Sequence, residues 1–178
     1  MTRLPVGRRS VAPFAAPLLV AAAVCTAGGA YVHLREWLAL YRHLPATIPG
    51  SAVVRVGFPL HAVMAGGLAV LLLFCALRGG RLVRYVVGGT LAFQFGAVAA
   101  LVVSRTGSLF GWSEATWTGG ATEALLTALG AIASLGAALV VGAVERRRLF
   151  VPSARVKAGS RSYPGRPTPT RSRRPMAR

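Results

Sequence analysis

Acidic residues are nearly missing from this 178-residue chain: four glutamates stand against twenty-one lysines and arginines. Cysteine and histidine are also scarce, at two and three. No HExxH, CxxC, Walker loop or serine elbow occurs, so hydrolysis, nucleotide use and zinc chemistry lack their residues. Cys25 and Cys75 both fall inside apolar runs, at different depths. That placement argues against a disulfide and makes them small hydrophobes. A two-haem site would need four histidines. A single haem would have only His33 and His61, and copper only His61 with Met64 one turn on. No cofactor is expected.

What the chain has instead is long apolar runs. Val11–Val32, Val56–Leu77 and Ala124–Val144 contain no formal charge, and Leu82–Val103 contains only Arg84, near its start. About 20 apolar residues in a helix cross a ~30 Å hydrocarbon core. Helices are the spanning solution here, because no barrel-like alternation is present. The expected fold is all-α: a polytopic membrane protein with four transmembrane helices in an antiparallel bundle. Its spans are residues 11–32, 56–77, 82–103 and 121–144, within a domain of residues 11–150. The first span also reads as a secretory signal, but its apolar run exceeds the ~7–15 residues of an h-region, so a retained helix is expected.

The net charge of +17 is a topology signal. Seventeen of the basic residues flank the two ends of the spans that share a side with residues 1–10. Only Arg35, Arg42, Arg55 and Arg105 lie opposite. The positive-inside rule then places both termini in the cytoplasm of a bacterial plasma membrane. Residues 151–178 are rich in Pro, Ser, Gly and Arg and read as a disordered basic tail able to meet anionic lipid. No nucleic acid is expected.

HLREWLALYRH, residues 33–43, is the densest polar stretch between apolar runs. Leu34, Trp37, Leu38, Tyr41 and Leu44 share one helical arc, opposite Arg35, Glu36, Arg42 and His43. That pattern predicts an outer interfacial amphipathic helix, with a bend near His33 or an extension beyond the bilayer. His43 and the arginines drop out as site candidates. His33, Glu36, His61 and Glu123 share a depth near the outer face and form the only constellation with chemical potential. Glu123 is expected in the first turn of the last helix, with Arg55 or Arg105 as possible partners.

Inside the bilayer, Gly130, Ser134, Ala138 and Gly142 make a smooth stripe suited to helix packing, within the chain or against a second copy. Gln94 should face the helix interior, because a lone amide in hydrocarbon is costly.

His33-Leu34, Trp37, Tyr41-Arg42 and Pro45-Ala46-Thr47-Ile48, with Leu109-Phe110-Gly111-Trp112-Ser113-Glu114 later, give a pattern that resembles uncharacterised four-helix membrane proteins of actinobacteria. The resemblance implies the same architecture and brings no activity. The functional expectation is a non-enzymatic accessory or scaffold protein that binds a membrane partner. The alternative is a small-molecule transporter or a quinone- or haem-linked redox subunit.

Overall fold

A computed structural model describes residues 15–149. The basic N-terminus, the first four residues of the expected first span and the tail lie outside them. Among the described residues there are four long helices and no strands. They are α1 (Ala16–Ala39), α2 (Ser51–Arg78), α3 (Leu82–Thr106) and α4 (Gly119–Leu149), with a 3₁₀ turn at Tyr41–His43 after α1. All four are long and apolar enough to cross a membrane. At 1.5 Å per residue, the 28 residues of α2 reach about 42 Å, beyond the ~30 Å of hydrocarbon.

Helix α1 packs along α2 and α4, and α3 lies against the same two neighbours. Small residues make this possible. A Cβ on Gly28 or Gly29 would stand 3.2–3.3 Å from the side chain of Thr127, and one on Gly130 would stand 2.9 Å from Cys25 Sγ. Leu19, Ala22, Leu72, Cys75 and Leu135 are fully buried and belong to one core cluster, toward the Gly79–Arg81 turn. That turn joins α2 to α3 through Gly79 and Gly80, both at positive φ. Glycine adopts this conformation without a Cβ clash, so three residues suffice to reverse the chain. Higher up, Gln94 is buried and donates to Thr26 Oγ1 at 3.1 Å, while Thr26 donates to Ala22 O. This amide joins α3 to α1, which are otherwise not direct neighbours.

Of the two forms expected for the stretch 33–43, the structure takes the extension and not the bend. Helix α1 runs through His33 without interruption and ends only at Ala39, so no separate interfacial helix forms. The reason lies in α2. Pro59 sits inside that helix and has no N–H, which orphans the carbonyl of Arg55 four residues back. Trp37 Nε1 donates to that carbonyl at 2.9 Å. The prolongation of α1 therefore carries an indole donor to a break in α2.

This pairing predicts a measurable coupling. Trp37→Phe should cost ~1–2 kcal/mol of unfolding free energy in detergent, since it leaves a part-buried carbonyl unsatisfied. In a Pro59→Ala background the new amide supplies the missing hydrogen, and the same substitution should cost little. Equal costs in both backgrounds would refute the compensation.

Candidate functional site

Helix ends and loops 40–50 and 107–118 meet at one end of the molecule. Gly50, at φ 73, is where they touch. A Cβ there would stand 2.6 Å from Gly111 C and would collide with Trp112 N, so only glycine fits. Tyr41 is buried between the loops. Its ring packs on Phe58 at 4.3 Å and meets Trp112 edge-on at 6.0 Å. Its hydroxyl donates to Glu114 Oε2 at 2.9 Å. Arg105 completes this knot. Its guanidinium meets Glu114 Oε2 at 3.1 Å and donates to the carbonyls of Glu114 and Thr116 at 2.6 and 2.7 Å.

The four residues singled out from the sequence separate into two groups. His33 and His61 lie together, their rings stacked at 3.9 Å and inclined by 20°. The Nδ1 of His33 is 2.9 Å from Gly29 O, a contact in which Nδ1–H donates and Nε2 is left as an acceptor. Phe58 and Phe93 flank the pair. The imidazoles, Gln94 and Thr127 line a recess of about 30 Å³. That is room for a single water and far below the ~300 Å³ at which small-molecule pockets begin.

Glu36 and Glu123 form the second group, with Arg35. One guanidinium nitrogen of Arg35 contacts Glu36 Oε1 at 2.9 Å and Glu123 Oε2 at 2.8 Å, clasping α1 to α4. Two expectations for Glu123 need correction. Thr118 caps α4 by accepting from Ala121 N, so the helix starts at Gly119 and Glu123 falls beyond its first turn. Its partner is Arg35, not Arg55 or Arg105. The carboxylate at the start of α4 is that of Glu36, seated where a Cβ on Gly120 would be 2.6 Å from Oε1. Arg35, which the sequence pattern excludes as a site residue, and Arg105, which it offers only as a partner for Glu123, thus organise this end, together with Tyr41, Glu114 and Gly50, for which the sequence suggests no site role. The concentration of three of four carboxylates between residues 36 and 123 was the available signal, because each requires a cation nearby.

The imidazole geometry bears on metal binding. Two trans ligands on one iron stand on opposite sides of it at ~2.1 Å each, which separates their ring centres well beyond the observed 3.9 Å. Met64 is exposed on the surface of α2 while His61 lines the recess. Among the described residues no three His, Cys, Asp or Glu side chains are grouped to hold a metal ion. In the packing stripe, Gly130 faces Cys25 and Ala138 is buried in the core, so both are turned inward. Ser134 returns its hydroxyl to Gly130 O at 2.8 Å, and Gly142 is part-buried on the same helix.

Comparison with protein-family models, with curated proteins and with solved structures finds no match.

The two ion pairs should differ in worth. Arg105 keeps only 5% of its side chain exposed, whereas Arg35 and Glu123 keep 39% and 49%. Glu114→Gln leaves a buried cation without its counter-charge and should cost ~3 kcal/mol. Glu123→Gln should cost under ~1 kcal/mol. Thermal unfolding of the two variants in one detergent checks the order, and a reversed order would show that the knot is not the anchor.

Proposed function

We propose that the chain is a multi-pass protein of the bacterial plasma membrane, a non-enzymatic accessory or scaffold component that binds a membrane partner through its outer cap. In this reading the four helices cross as an antiparallel bundle with both termini cytoplasmic, and the basic tail meets the anionic leaflet. Support for insertion is the outer surface of the helices. Val63, Val70, Leu77, Leu126 and Val140 are all well exposed. An apolar surface of that extent in water marks a membrane or protein contact.

The observation that carries partner binding is Phe110. Leu109 and Trp112 exchange both backbone hydrogen bonds, at 2.7 and 3.0 Å, around Phe110 and Gly111. Phe110 has φ 52 and Gly111 φ 86, the two positive values of a type I′ hairpin. Asparagine or glycine suits the first position; a phenylalanine there costs of order 1–3 kcal/mol. Its ring is nevertheless 81% exposed, so burial within the chain does not offset the strain. In the same loop Trp117 is 52% exposed, its ring 5.8 Å from the Arg105 guanidinium. Exposed aromatics on a rigid base are the composition of a binding hot spot. Transport or redox chemistry draws less support, because the recess at His33 and His61 is the size of one water.

Phe110→Asn separates stability from function. It should raise stability by ~0.5–1 kcal/mol, since asparagine tolerates the left-handed region. A photo-crosslinking residue in place of the exposed Ser113, in native membranes, should give a discrete protein adduct that this variant abolishes. An adduct that survives Phe110→Asn, or lipid adducts alone, would remove the proposal.

A further inference from the structure

We infer that the outer half of the α1–α2 seam is a binding site for one anionic glycerophospholipid, its acyl chain in the seam and its phosphate on Arg55. The inference rests on the membrane reading above. Ala30, Tyr31 and Leu34 from α1, with Pro59, Ala62 and Val63 from α2, line an open and almost wholly apolar groove of about 340 Å³. Alanines form its floor, and the larger side chains stand as its walls. Positions 30, 34 and 37 lie on one face of α1, and positions 55, 59 and 62 on one face of α2. The Trp37–Arg55 hydrogen bond joins these two faces at the end of the groove. Arg55 therefore heads the groove. Its side chain, leaning toward the start of α2 as helical side chains do, reaches the level of lipid headgroups.

Arg55 also lacks a counter-charge. It takes part in none of the ion pairs among the described residues, and its Nε is buried without a hydrogen-bond partner. A second copy of the chain has no carboxylate to offer it. Glu36 and Glu123 are engaged by Arg35, Glu114 by Arg105, and Glu145 lies at the far end of α4. A lipid phosphate supplies both the charge and the acceptor oxygens that a guanidinium takes in pairs. The chain attached to it supplies the apolar cover that Tyr31, Leu34 and Val63 lack.

The test uses the full chain in phosphatidylcholine vesicles with a trace of phosphatidylglycerol carrying a diazirine in its upper acyl chain. Adducts are mapped to peptides by mass spectrometry. Tyr31, Leu34 and Val63 should be labelled about five-fold more than Leu126 and Val102, the factor one basic residue adds near an anionic headgroup. Arg55→Gln should abolish the excess, Ala62→Leu should reduce it by filling the groove, and a phosphatidylcholine probe should show a smaller one. Even labelling of all exposed apolar residues, or an excess unchanged in Arg55→Gln, overturns the site. No labelling of any helix removes the membrane reading and the site with it.

Discussion

The carbonyl of Arg55 has no donor within its own helix, because the residue four positions on is Pro59. Leaving it unpaired in an apolar setting would cost ~1–3 kcal/mol. Trp37 supplies the hydrogen, and it can do so only if α1 stays helical for a further turn past His33. That extension then fixes where the chain goes next. The 3₁₀ turn delivers Tyr41 onto Phe58, and its hydroxyl reaches Glu114 in the other loop. Gly50 closes the arrangement where the loops cross. One missing amide hydrogen thus sets the length of α1 and the position of the tyrosine that ties the loops together.

Charge distribution follows the same economy. With four carboxylates in the chain, not every arginine at this end is neutralised internally: Arg35 and Arg105 are paired, and Arg42 and Arg55 are in no ion pair among the described residues. Glu114 goes to the most buried guanidinium, that of Arg105, where an uncompensated charge would be worst. Glu36 and Glu123 share the exposed Arg35, where each contact is worth little on its own but the pair pins α1 to the start of α4. Arg55 is left over. It lies one helical turn before Pro59, which lines the apolar groove between α1 and α2.

The four helices were legible because apolar runs of that length, with Arg84 their only formal charge, have few other uses. Their limits were not. Hydropathy stops at a charge, whereas a helix does not: α2 begins at Ser51 and takes Arg55 within it, and α1 carries Arg35 and Glu36 past the apolar run. Depth alone placed His33 and His61 at one level, and the structure puts them in contact. Depth could not reveal that Glu36 and Glu123 would turn away from them toward Arg35. Nor could any local pattern join Tyr41 to Glu114 across 73 residues. The amphipathic arc of residues 34–44 was real, but its apolar side was read as facing lipid when Trp37 and Tyr41 in fact face α2 and the second loop.

Size segregation decides which surface is left for a partner. The interior is built mostly from alanine, with two threonines, three leucines and four valines, while most of the larger leucines and phenylalanines lie at or near the surface. That is the packing expected when helices associate by close backbone approach and the hydrophobic effect draws them to the surrounding phase instead of to each other. On α4 the small residues are engaged within the chain: Gly130 receives the sulfur of Cys25 and Ala138 closes the core. Large apolar side chains on the remaining faces suit lipid and offer little shape to select a protein. The loops differ, because Tyr41, Arg105 and Gly50 hold their backbone in place. There Phe110 is kept in a conformation that phenylalanine disfavours, with its ring in the open.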